Sequence, residues 1–338
     1  MPCVLVSILT NSKLAGRYLP EYRETKGTLN FFECCRIPDV ASKLTIQPVD
    51  RYNGLIDAAI IFSDILVVPQ AMGMQVEMVD GKGPSFPNPL DSPKDIQYSR
   101  MSHQEVDVKK ELSYVYEAIS LTRQRLQGRV PLIGFCGSPW TLMYYMVEGG
   151  GSKFCARSKN WIYQYSDESH ALLQKITEVC VDHLAFQIAA GAQLVQVFDS
   201  HAGELSPRSF RSFSLPYLRS IATALPLKLR VMGLEPVPMS IFAKGAWYAL
   251  EDLCVSGYDV VSLDWLHDPA QAMAVANGRV TIQGNADPGI LYGGHGAIRD
   301  AVKDMVEGFH HGTKGWIASL GHGNITSQYL LFCFFTTH

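Results

Sequence analysis

The sequence lacks long apolar runs: no stretch approaches the roughly 18–20 consecutive apolar residues of a membrane-spanning helix. It has no basic run, and a formal net charge of −3 argues against a nucleic-acid surface. The 8 cysteines are scattered and none form a CxxC pair with zinc spacing, which points to a reducing compartment and a cytoplasmic protein. Residues 1–9 are apolar but too short and uncharged for a secretory signal. No GxGxxG follows a first strand, which excludes the dinucleotide fingerprint, and Gly149-Gly150-Gly151 reads as a loop. No internal repeat or low-complexity linker divides the chain.

What is present is apolar and abundant. Hydrophobic residues make up 47% and charged residues 18% of 338 positions, enough for a sizeable core in one large α/β barrel or two smaller domains. Short β-rich runs alternate with helix-length segments. Strands are expected at 3–9, 58–68, 131–136, 193–198, 237–242, 260–265, 280–283 and 316–320. Amphipathic segments lie between them, among them 109–126, 169–190 and 297–309. Asp268-Pro269 and Asp287-Pro288 each offer an N-cap with Pro at the first helical position. About eight β-then-α units in succession predict a single-domain (β/α)8 barrel over 1–338 rather than a doubly wound sheet.

The run Ile60-Ile61-Phe62-Ser63-Asp64-Ile65-Leu66-Val67-Val68-Pro69 carries one carboxylate among strong β-formers. It reads as a strand buried on both faces. A buried ionised acid is costly unless paired. Its partner is either a neighbouring Arg or backbone N–H groups, or a cationic or N–H-rich ligand at the strand end.

Barrel chemistry sits where strands end. The residues just past the expected strands are Asp64; Ser138-Pro139-Trp140; Asp199-Ser200-His201; Lys244; Asp264; Asn285 and Asp287; and Gly321-His322-Gly323. This is a polar ring without a metal set, since His201 and His322 are too few for a catalytic zinc site. Lys244 follows an apolar run and could form a Schiff base in another barrel family, but a structural or solvated lysine is the plainer reading. His322 lies between two glycines, which allow backbone to approach a ligand closely; a turn histidine bonded locally is the alternative.

Ordered matches then point to one family. The loop Ala15-Gly16-Arg17-Tyr18-Leu19-Pro20-Glu21-Tyr22-Arg23 resembles the signature loop of the uroporphyrinogen decarboxylase family, and the run around Asp64 resembles its second signature. Gly81-Lys82-Gly83-Pro84, Pro139-Trp140-Thr141-Leu142-Met143, Tyr145-Met146-Val147-Glu148 with Gly149-Gly150-Gly151-Ser152, Ser200-His201-Ala202-Gly203, Gln283-Gly284-Asn285 with Asp287-Pro288, and Gly321-His322-Gly323 follow in order across about 14–323. Other details are similar to the eukaryotic, fungal-like branch.

The resemblance implies removal of the four acetate carboxyl groups of uroporphyrinogen III as CO2, giving the haem precursor coproporphyrinogen III. It further implies a homodimer using no metal or organic cofactor. It assigns catalytic parts to Asp64, Tyr145 and Arg17. Asp64 would gather the pyrrole N–H groups and stabilise a cationic ring. Arg17 would bind substrate carboxylates; Tyr145, Ser200 and His322 would donate to substrate side chains. Lys13, Leu14, Ala15, Gly16 and His201 complete the implied substrate-binding set. Phe62 and Phe198 are expected as apolar walls, or equally as barrel core.

The chain departs from the family pattern twice. Ser12, Lys13 and Leu14 stand where the family has Met-Arg-Gln, so a cation is kept at 13 but not the bidentate fork. After Gly323 the family continues into a final helix, whereas 324–338 shows no amphipathic pattern, so the last helix is expected to be missing or altered. Two alternatives to an active decarboxylase follow. One is an inactive or truncated paralogue that binds porphyrinogen without turnover. The other is a cobalamin- or thiol-type methyltransferase of the same barrel class, which would need a His/Cys zinc constellation that the later strand ends do not offer.

Overall fold

The structure is a computed structural model and describes residue 17 and residues 19–79, 81–98, 106–309 and 315–323. Nine strands occur among them: β1 (Ala59–Ile60), β2 (Glu77–Val79), β3 (Gly83–Ser85), β4 (Leu132–Gly137), β5 (Leu194–Asp199), β6 (Met239–Ala243), β7 (Val260–Ser262), β8 (Thr281–Ala286) and β9 (Trp316–Leu320). β2 and β3 form a small antiparallel pair. The other seven form one sheet in the order β1-β4-β5-β6-β7-β8-β9, every neighbour parallel.

Spatial order therefore equals chain order. A doubly wound sheet reverses direction partway; this one never does. Parallel neighbours need crossover connections, and crossovers of one hand place all the helices on one face. The other face of the sheet must then curl to cover itself, which is the logic of a barrel. β4 and β6 are buried almost throughout, as parallel strands covered on both faces should be.

The helices supply the outer layer. Ser166–Ala189 packs against Leu215–Val231, Pro139–Glu148 and β4, and one apolar core extends from Leu19 to Ala318. Expected segments 109–126, 169–190 and 297–309 are observed as Ser113–Leu126 (after a short turn at Val108–Glu111), Ser166–Ala189 and His295–Phe309. Asp268 caps Pro269–Ala276 by accepting from Gln271 N at 2.8 Å. Asp287 instead opens a 3-10 turn, Pro288–Tyr292, accepting from Gly289 N at 2.7 Å.

One expectation is corrected. The run 58–68 is not a continuous strand: β1 holds only Ala59 and Ile60, and Asp64 lies beyond it in a turn that leads into the helix Val67–Ala71. Side chains intercept the backbone. Thr45 Oγ1 accepts from Phe62 N at 2.9 Å, and Asp64 Oδ1 accepts from Leu66 N at 2.8 Å. The second is the i-to-i+2 contact by which Asp forms a turn. The run is apolar because it is buried, not because it is extended. The expected strand at 3–9 and the tail 324–338 lie outside the described residues.

Candidate active site

The short turn after β1 sets Asp64 at the C-terminal end of the sheet. It is 6% exposed. Among the described residues no cation closes an ion pair with it, and it accepts a hydrogen bond from Leu66 N. Burial pushes the carboxyl up to about 6, offset in part by that N–H and by the charge of Arg17. The Arg17 guanidinium stacks 4.7 Å from the ring centre of Phe31 and 6.0 Å from that of Tyr22. Phe62 packs beneath, 5.5 Å from Phe31 and 6.1 Å from Tyr22. Aromatic packing thus holds a cation near a carboxylate without locking the two together.

The second wall comes from β4 and β5. Ser138 caps the helix Pro139–Glu148, accepting from Thr141 N at 3.0 Å. That helix presents Tyr144 and Tyr145. The His201 imidazole lies flat on the Tyr144 ring, centroids 3.7 Å apart, and meets Tyr145 edge-on at 5.1 Å. The His201 backbone is fixed on both sides: its carbonyl accepts from Trp140 Nε1 at 3.0 Å, and its N–H donates to Thr141 Oγ1 at 3.2 Å. Its Nε2 is buried without a hydrogen-bond partner. Burial, and then the charge of Lys244, hold its pKa down to about 4, so the ring is neutral. Ser200 is half-buried between Asp199 and His201.

Asp199 itself is spoken for. It is fully buried and accepts from Ser138 Oγ at 2.7 Å, Thr141 Oγ1 at 2.8 Å and Ser214 Oγ at 2.5 Å. Three hydroxyl donors partly offset a burial that still raises its pKa. This clamp joins two strand ends to two helices. Asp264 is likewise occupied, accepting from Gly245 N at 2.5 Å and Leu266 N at 3.0 Å. Asn285 Nδ2 donates to the carbonyls of Asp264 (3.0 Å) and His267 (2.8 Å).

The third wall is built by β6 and β9. Phe198 and Phe242, paired in register, meet edge-to-face at 6.3 Å. His322 stands 6.3 Å from Phe242 and 6.0 Å edge-on from Trp265. Phe198, Phe242 and His322, with Ser262, Leu263, Ser319, Leu320 and Gly321, line a small, partly open cavity. Burial and the charge of Lys244 lower the pKa of His322. Below, Ser262 links Ser240 Oγ and Gln283 Oε1, each at 3.1 Å, into a buried polar row.

The structure thus gathers Asp64, Arg17, Tyr145, Ser200, His201 and His322 around the C-terminal end of one parallel sheet. Phe198 lines the cavity, and Phe62 packs under Arg17. Lys13, Leu14, Ala15 and Gly16 lie outside the described residues. Sequence reasoning missed Tyr144, the platform for His201, and the hydroxyls that tie Asp199. The structure alone shows that Ser138 both caps a helix and donates across to Asp199 at the end of β5. Among the described residues no group of three His, Cys, Asp or Glu side chains stands together to hold a metal ion.

The fold class of this site is an α/β barrel with its polar groups at the strand C-termini. The solved structure of a methyltransferase from Methanosarcina mazei shares the architecture, with a TM-score of 0.74 at 21% identity over 96% of this chain and 88% of that one. At that identity the likeness concerns the fold alone. The sequence pattern of the uroporphyrinogen decarboxylase family matches residues 11–328. The uroporphyrinogen decarboxylase of Danio rerio is 55% identical over 309 residues, covering 91% of this chain and 82% of the fish protein. That of Schizosaccharomyces pombe is 52% identical over 310 residues, covering 91% and 86%. The chain belongs to the uroporphyrinogen decarboxylase family.

Proposed function

We propose that this protein is a carboxy-lyase that decarboxylates uroporphyrinogen in haem biosynthesis, with Asp64 as the group that stabilises the cationic intermediate. Family membership carries the reaction. The single observation that favours the role of Asp64 is a carboxylate 6% exposed, with one backbone N–H and no salt-bridge partner among the described residues. A structural aspartate at that depth is held as Asp199 is, by several donors. Asp64 keeps acceptor capacity, and pyrrole N–H groups are the donors that would fill it.

The chemistry follows. An acetate side chain loses CO2 only if the electrons of the breaking C–C bond have somewhere to go. Protonation of the adjacent pyrrole carbon makes a cationic ring that accepts them. CO2 leaves, an exocyclic methylene remains, a proton adds to that carbon to give a methyl group, and the ring proton is returned. Each turn consumes one proton and releases one CO2. A fixed carboxylate beside the ring N–H groups is stronger in the charged intermediate than in the ground state, as catalysis requires. Tyr145, with its phenol pushed up to about 12 by burial and by the charge of Asp64, remains a donor. Arg17 and His322 bind substrate carboxylates at the mouth, with Ser200 and His201 beside them, and Lys13, Leu14, Ala15 and Gly16 complete the binding loop.

The reading includes a single barrel domain over 1–338, a homodimer, a cytoplasmic location and no metal or organic cofactor. The protonated pyrrole is itself the electron sink, which is what supports cofactor independence. Among the described residues no helix is long and apolar enough to cross a membrane. The test is anaerobic turnover of uroporphyrinogen by chelator-treated protein. Coproporphyrinogen should still form. Activity that disappears on chelation and returns with zinc would overturn the reading.

A further inference from the structure

Lys244 is the one side chain of the strand-end ring for which neither the fold nor the reaction described above gives a use. It follows β6 directly, and its backbone is fixed: its N–H donates to Asp199 O at 3.1 Å and its carbonyl accepts from Gly203 N at 2.8 Å. The two loops touch there with no side chain between them. A Cβ on Gly203 would sit 2.8 Å from Gly245 Cα and 3.0 Å from Lys244 O. The lysine is thus held at the end of the barrel. The residue is half-buried, and its ammonium closes no ion pair among the described residues. The nearby acids are engaged elsewhere: Asp199 by three hydroxyls, Asp264 by Gly245 N, Leu266 N and His267.

Two histidines lie within reach of its charge. Its charge bears on both His201, from the β5 end, and His322, from the β9 end, and after burial it is the second cause that lowers the pKa of each ring. His201 Nε2 is buried and unpartnered. A half-buried lysine bonded through its backbone to the loop that carries His201, with two neutral imidazoles in reach of its charge and one of them with an unused nitrogen, is a set of groups suited to an anion. A carboxylate there would take a charge-assisted bond from the ammonium and hydrogen bonds from imidazole N–H groups.

We propose that Lys244, flanked by His201 and His322, binds one side-chain carboxylate of the macrocycle and so fixes its orientation over Asp64. This rests on the decarboxylase reading above. The carboxylate comes either from a propionate, present in substrate and product, or from an acetate, present in the substrate alone.

The experiment uses the full chain and its Lys244→Gln and Lys244→Arg variants. It measures kcat and KM for uroporphyrinogen and the inhibition constant of coproporphyrinogen, with thermal midpoints and imidazole titrations by NMR. Gln should raise KM by about 10-fold to 100-fold with a smaller change in kcat, since a hydrogen bond to a charged group is lost. Arg should recover most of the loss. The thermal midpoint should hold, and both imidazoles should titrate higher in the Gln variant. If coproporphyrinogen inhibition weakens in parallel, the bound group is a propionate; if it does not, an acetate. An unchanged KM in the Gln variant, with the parent active, overturns the proposal and leaves the decarboxylase reading intact. Equal losses in Gln and Arg accompanied by a lower midpoint also overturn it, in favour of a structural lysine. A parent that neither consumes uroporphyrinogen nor is inhibited by coproporphyrinogen removes the reading and the proposal together.

Discussion

The charge of Asp64 reaches the phenol of Tyr145 and, after burial, is the second cause that pushes that phenol up to about 12. Asp64 lies in the turn after β1 and Tyr145 on the helix Pro139–Glu148, yet their protonation states are complementary. At neutral pH one is an anion and acceptor, the other a neutral donor. A macrocycle with N–H groups at its centre and carboxylates at its rim needs both.

Asp64→Asn should lower kcat by on the order of 100-fold to 1000-fold, because an amide cannot balance a cationic ring. The same change should stabilise the empty protein. A folded-state pKa of about 6, raised from 3.8, means the carboxyl favours folding below 3.8 and loses that contribution as pH rises through 6. The ionised group then opposes folding at pH 7 by about 3 kcal/mol, a figure taken from the shift as an order of magnitude. The variant's melting temperature should therefore exceed the parent's at pH 7 and converge with it near pH 4. A variant with near-parental turnover would end the assignment of Asp64; one that failed to fold would make it a structural residue.

The kcat/KM of the parent should fall on the acid side with a midpoint near 6, as Asp64 gains its proton in the free protein. His201 does not confuse the profile, because its ring stays neutral down to about 4. An acid limb centred near the ordinary carboxylate value of 3.8 would show that Asp64 is not the controlling group.

Asp199→Ala should destabilise the fold by about 3 kcal/mol, since it removes the shared acceptor of three buried hydroxyls and leaves a cavity. Urea unfolding measures it. A midpoint within error of the parent's would mean that the hydroxyls find other acceptors and that the clamp is not what joins β4 and β5 at this end.

Gly203→Ala should lower both stability and affinity. The new methyl would meet Gly245 and Lys244 backbone at 2.8–3.0 Å, where no flexible side chain can give way. The two loops must part, and Lys244 moves with them. KM for uroporphyrinogen should rise more than kcat falls. An unchanged KM beside a lowered melting temperature would separate the loop contact from substrate binding.

Much of this was open to inspection in the chain itself. Alternating β-rich and amphipathic segments determined the strand order, because parallel neighbours require a crossover and each crossover here has a helix-length segment to fill it. Asp268-Pro269 determined a helix start, because Pro accepts the first helical position and Asp supplies the cap. Ordered local signatures determined the family. These are properties of neighbours along the chain.

What only the tertiary structure decided depends on residues far apart in it. Asp64 reads as a strand residue from its apolar neighbours, but a Thr45 hydroxyl and its own carboxylate take the backbone N–H groups a longer strand would have used. Asp199 and Asp64 look alike in sequence, each at the end of an apolar run. Three hydroxyls from residues 138, 141 and 214 occupy one and leave the other open. Lys244 reads as a solvated lysine until the curl of the sheet sets its charge against both His201 and His322. Periodicity reports burial along one element; whether a buried charge is satisfied is settled by donors from other elements, and those the sequence does not place.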